Sequence, residues 1–443
     1  MRIVVITSAV SPRLDYMLRY LRNRFGAESA VASRSMNGVK ADLVIYYGNE
    51  NPPPGTHLTV PDSGILLKGA VADKNQVVEA LKSGDFILKE GSHYRTSMDF
   101  MGLGFFLLSR MEEYNRSNSE KDSLERFSSV DSVLDETGLL QIPVIDWWIK
   151  QLLDLFREIR PGLKLVHPGF ELLPSCDIDT FYAIKGKSLL RSFGSGVAQL
   201  LRGDFDGVGD RLKFHMSIAN DPYDKLELLV RDAERLERKL HCFVLFPAKR
   251  SRPQDRSGWD KNFPYSKEIL KWSDRIIWGL HPSIYSNHSA KKILEEKKQL
   301  EELVEQPVEV SRQHFLNLRF PETYRSLIET GIKEDHSMGF HDLPGFRAGT
   351  SRSFYWYDLE KEEITTLKVH PLVFMDASVK HYQVTGPAES CELVRQLMDE
   401  TYTTNGIFSY LWHNSSLSGF DSWKDYRRVY DFIVNNAEDL MKK

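Results

Sequence analysis

The chain has 443 residues, more than one ordinary domain holds, and its 41% apolar and 27% charged content allows substantial buried cores. Its 58 basic and 62 acidic side chains leave a net charge of -4, which excludes the basic excess that nucleic acid or an anionic membrane surface demands. The three cysteines, Cys176, Cys242 and Cys391, are far apart in sequence; they exclude a disulfide framework and point to a reducing, cytoplasmic setting.

The apolar run at the amino terminus is short and β-branched, and Ser11-Pro12-Arg13-Leu14-Asp15 follows without a further hydrophobic stretch, which predicts a buried first strand rather than a signal peptide. No run approaches the 18 apolar residues of a membrane span. Helical spacing over 14–25 and a second apolar strand over 41–47, broken by Pro52-Pro53-Pro54-Gly55, predict a small α/β N-terminal domain over residues 1–90. No Gly-x-Gly-x-x-Gly follows the first strand, so a dinucleotide site is not indicated. Residues 91–167 read as a mostly helical connecting region. Its apolar run 100–108 leads into Ser109-Arg110-Met111-Glu112-Glu113-Tyr114, a polar loop follows over 115–123, and a helix resumes around Ile145-Asp146-Trp147-Trp148.

From residue 168 to 443 the texture changes. Short apolar strands recur at 172–176, 242–246, 276–280, 308–310 and 367–369, with charged helices over 224–239 and 290–304. Such βα alternation predicts a parallel barrel or a doubly wound sheet, in which chemistry collects at the carboxyl ends of the strands.

Polar residues follow those strands repeatedly. Asp177 and Asp179 are two residues apart and share a face of an extended segment; two close carboxylates are costly unless a cation neutralises them, although an Asx-turn entering a helix is the plainer alternative. His281 closes the strand 276–280, where an imidazole suits a borderline metal ion or is simply a satisfied structural residue. His288 lies seven residues on. If the strand 308–310 continues, Arg312 and His314 point to one side, and the guanidinium would either orient a buried carboxylate or form a surface ion pair. His413 ends an aromatic-rich run. The segment from Glu334 to Phe340, with the glycine-rich stretch 344–350, reads as a shaped loop near a pocket.

The order Asp-x-Asp, His, Arg-x-His and a late His resembles the polysaccharide deacetylases of the NodB-homology type (carbohydrate esterase family 4), over about residues 172–423. The resemblance implies a distorted (β/α) barrel, one divalent metal ion, zinc by preference, and a carbohydrate substrate. It makes Asp177 the general base, Asp179 and His281 metal ligands, Arg312 the residue that positions the base, and His413 the general acid. The family's second motif carries another histidine four residues after the first, where this chain has Tyr285. The third ligand expected is therefore His314, with His288 as second choice. The Arg312 segment, a helix over 324–331 and Asp335-His336-Ser337 are similar to relatives acting in exopolysaccharide synthesis. The residues before 172 look like the accessory N-terminal region of a bacterial subgroup.

The chemistry implied is metal-assisted hydrolysis of an N-acetyl group on a sugar, with Trp412, Trp356 and Tyr357 either stacking on sugar rings or packing in the core. The missing histidine keeps a non-catalytic carbohydrate-binding protein on a degenerate barrel as the alternative. A metal-dependent amidase acting on another linear or cyclic amide is a third possibility.

Overall fold

The β-branched run at the amino terminus forms β1 (Arg2–Ile6), and its neighbours build the first of two sheets. The computed structural model describes residues 1–35, 40–91, 93–114, 122–162, 168–185, 220–247, 269–419 and 423–442, with Gly209, Met216 and Asp255. The remaining strands of this sheet are β2 (Ser29–Ser33), β3 (Leu43–Tyr47), β4 (Leu58–Val60), β5 (Ile87–Glu90) and β6 (His93–Thr96), in the order β2-β1-β3-β4-β6-β5. All pairs are parallel except the β5–β6 hairpin.

Helix α1 (Pro12–Phe25) starts where Ser11 accepts the Leu14 amide and stops at Gly26, whose φ of 60° is the left-handed conformation that ends a helix without penalty. Further on lie α2 (Lys74–Leu81), α3 (Phe100–Ser109), the single turn α4 (Val133–Glu136) and α5 (Val144–Ile159). All ten residues of α3 are buried, as its unbroken apolar sequence requires. The expected polar loop lies outside the described residues over 115–121.

The second sheet holds β7 (Glu171–Ile178), β8 (Leu240–Val244), β9 (Ile276–Leu280), β10 (Val310–Ser311), β11 (Glu334–Met338), β12 (Phe354–Asp358), β13 (Glu363–Pro371), β14 (Phe374–Met375) and β15 (Ile407–His413). Their order is β12-β13-β11-β10-β9-β8-β7-β15-β14, and only β12 runs antiparallel to its neighbour. The protein is thus mixed α/β with two parallel-rich sheets. Strong curvature brings distant strands of the second sheet together: Arg312, just after β10, hydrogen-bonds Ser175 and Asp177 on β7, three places away in the order.

Two sequence expectations are corrected. Residues 334–338 are a strand, not a loop. The segment lacks an apolar pattern because both of its faces are polar and paired internally: Asp335 accepts from Ser311 and Ser337, and His336 stacks on His370. The strand expected to carry Arg312 and His314 stops at Ser311, and His314–Leu316 form a tight helical turn with Phe315 at φ 60°. Cys176 and Cys242, distant in sequence, are cross-strand neighbours and both free. Among the described residues no helix is long and apolar enough to cross a membrane.

Candidate functional site

Parallel strands present their carboxyl ends together, and here those ends carry the ionisable residues. Asp177 is the penultimate residue of β7 and Asp179 follows that strand; His281 follows β9, Arg312 follows β10, and His413 closes β15 directly opposite Asp177 in register. The structure brings these five together with His314. Asp179 Oδ1 lies 3.4 Å from His281 Nε2 and 3.7 Å from His314 Nε2, and Asp179 Oδ2 lies 3.9 Å from His413 Nε2. His288 is elsewhere, with Nδ1 3.0 Å from the Thr323 hydroxyl.

The donor set fits a divalent cation. One carboxylate and two imidazoles offer atoms that all lie within 4.8 Å of one another. Asp179 Oδ1 is buried without a hydrogen-bond partner among the described residues, a costly state that a cation would relieve. His281 donates from Nδ1 to the Arg312 carbonyl at 2.6 Å, which leaves its Nε2 lone pair facing Asp179. His314 Nδ1 is 3.4 Å from Asp255, a carboxylate fixed by the Ile284 and Tyr285 amides.

Around this trio the charges are paired. Arg312 donates to Asp177 Oδ1 at 2.8 Å, to Ser175 at 2.9 Å and to the His336 carbonyl at 3.0 Å, with its guanidinium over the Phe243 ring. Asp177 Oδ2 is left 3.5 Å from His281. His413 donates from Nδ1 to Asp376 at 2.7 Å, and its backbone amide bonds the other oxygen of that carboxylate. Burial alone would lower the His413 pKa, but Asp376, with help from Asp179 and Asp177, outweighs it and pushes the value up to about 10. Burial likewise opposes charge on His281, and Asp177 and Asp179 prevail to raise it. Asp179 sits well below the usual carboxylate range because His314, His281 and His413 outweigh its desolvation.

The group opens into a cavity of about 360 Å³. Tyr382 and Trp423 line it, and so does Arg126, which is held by Asp122, the Phe315 carbonyl and the Tyr382 hydroxyl. Trp356, Trp412 and Tyr357 are almost fully buried, so they pack in the core and offer no face to a sugar. Sequence reasoning missed Asp376 and Asp255. Asp376 follows the two-residue strand β14, too short to read as a strand, and Asp255 stands outside any apolar pattern.

A family of unknown function, DUF7033, matches residues 3–161, well under half of the chain. None of the curated proteins matches. Among solved structures, a "putative polysaccharide deacetylase from Mycobacterium smegmatis" is similar at 13% identity and a TM-score of 0.38, over 61% of this chain and 84% of that one. A GH138 enzyme targeting pectin rhamnogalacturonan II is similar at 11% identity and a TM-score of 0.23, over 99% of this chain and 64% of that one. At these values neither likeness decides the chemistry.

Proposed function

We propose that this protein is a metal-dependent hydrolase that removes N-acetyl groups from a carbohydrate, with the second sheet forming a distorted (β/α) barrel. One observation carries the reading: Asp179, His281 and His314 converge beside a carboxylate clamped by an arginine and an imidazole backed by an aspartate. Residues 168–443 would form this catalytic domain, with 1–90 and 91–167 as an accessory domain and its connection. The free thiols support a cytoplasmic setting.

A divalent cation, zinc by donor set, held by Asp179, His281 and His314 would polarise the acyl carbonyl and acidify a water. Asp177 accepts the proton of the attacking water through Oδ2, because Arg312 occupies Oδ1 and keeps the group aimed. His413 is cationic at neutral pH and has Nδ1 engaged by Asp376, so its Nε2 proton is the one directed at the cavity. As the C–N bond breaks, that proton goes to the departing amine, which leaves poorly as an anion. Tyr382 and Trp423 offer aromatic faces on which a sugar ring can stack.

Tyr285 at the position of the second-motif histidine favours a second reading, a carbohydrate-binding protein without turnover. Metal analysis and acetate release from an N-acetylated chito-oligosaccharide separate the two. Asp179→Ala combined with His281→Ala is expected to lose one equivalent of metal and all activity. Asp177→Asn keeps its metal and loses turnover by about 10²- to 10⁴-fold. Full metal content in the double variant refutes the ligand assignment, and oligosaccharide binding without acetate release supports the second reading.

A further inference from the structure

A second cluster of ligating side chains lies in the same sheet, on β11 and β13, two strands that carry none of the cavity residues named above. The two-residue period of β11 puts Glu334 and His336 on one face, and the parallel ladder with β13 sets Lys368 opposite Glu334, so that His370 falls beside His336. The His336 and His370 rings stack at 4.4 Å with 2° between their planes, and His370 Nε2 lies 2.8 Å from Glu334 Oε2. The three ligand atoms all lie within 4.8 Å of one another. A third imidazole, His241 on β8, packs its ring 5.0 Å from that of His336.

His336 is 1% exposed, and its Nε2 has no hydrogen-bond partner among the described residues. Left so, a buried ring nitrogen is costly, and the neighbouring side chains supply nothing that satisfies it. We infer that Glu334, His336 and His370 form a second divalent-cation site, separate from the cavity.

Two imidazoles and one carboxylate suit zinc and fail the all-oxygen requirement of calcium or magnesium. The Glu334 side chain is 35% exposed, giving an ion a route from solvent. A cation here would fasten β11 to β13, and it would stand one hydrogen bond from the other site, since Arg312 Nε donates to the His336 carbonyl.

The test is zinc titration of chelator-stripped full-length protein against a chromogenic chelator. Wild type is expected to take up two equivalents, Asp179→Ala/His281→Ala one, and Glu334→Gln/His370→Gln one, each variant checked for folding by circular dichroism. Retention of two equivalents in Glu334→Gln/His370→Gln, or no uptake by Asp179→Ala/His281→Ala, overturns the proposal. If Glu334→Gln/His370→Gln fails to fold, Asp179→Ala/His281→Ala decides alone: zinc at a hundredfold excess over Kd should raise its Tm by about 3 °C, and no rise overturns the site. Failure of the cavity site is distinguishable, because wild type would then hold a single equivalent, lost only with Glu334 and His370.

Discussion

Asp376 shows how one carboxylate sets the proton affinity of its neighbour. The His413 acid form exists below the raised value of about 10 and is lost as pH climbs through it. Asp376→Asn removes the foremost raising charge, so the alkaline limb of kcat/KM should move to lower pH, by about 1–3 units for a lost contact charge. A pH–rate profile with the limb unmoved would remove His413 from the role of proton donor. Arg312 acts through geometry: its three acceptors fix the planar guanidinium in an arrangement that lysine cannot copy.

At the level of strands and turns, close packing behind the site fixes Arg312 in place. A Cβ on Gly279 of β9 would meet the Phe243 ring at 2.5 Å, and that ring is the platform beneath the Arg312 guanidinium. Gly279→Ala should therefore destabilise the fold by about 1–3 kcal/mol in urea unfolding, the usual cost of overpacking, and lower turnover as well. An unchanged midpoint with full activity contradicts this. Strands such as β7 and β9 were legible in the sequence because burial on both faces demands continuous apolar runs. Strand β11 was not, because polar side chains are buried on both of its faces and leave no apolar periodicity to read. The candidate residues Asp177, Asp179, His281, Arg312 and His314 could be picked out because each follows a readable strand, and His413 because it ends an aromatic-rich run. Alternation along a strand was nevertheless the wrong route to His314, since the left-handed turn at Phe315 shapes the segment that carries it.

Across the whole molecule, buried ion pairs connect the two sheets and the region between them. Arg13 of α1 pairs with Glu362, Arg24 with Asp146 of α5, and Asp146 in turn accepts from Thr350 and Ser351. Glu113 accepts from both Arg110 and Arg347, all three nearly inaccessible, which gives the Ser109–Tyr114 stretch a structural task its sequence did not disclose. Glu113→Ala strands the buried Arg347 guanidinium, while Arg110 keeps Glu112, and should cost about 3 kcal/mol, read as a lower urea midpoint. A loss below 1 kcal/mol would mean that Arg347 finds another acceptor.

The complete enclosure of α3 also matters while the chain is being made. Its apolar helix packs against β12, whose last residue is translated about 250 residues later, a delay of roughly 12–50 s at ordinary elongation rates. For that interval a sticky, ten-residue segment waits on the ribosome without its final cover, so nascent-chain chaperones and slow expression temperatures should govern how much of the protein reaches its native state.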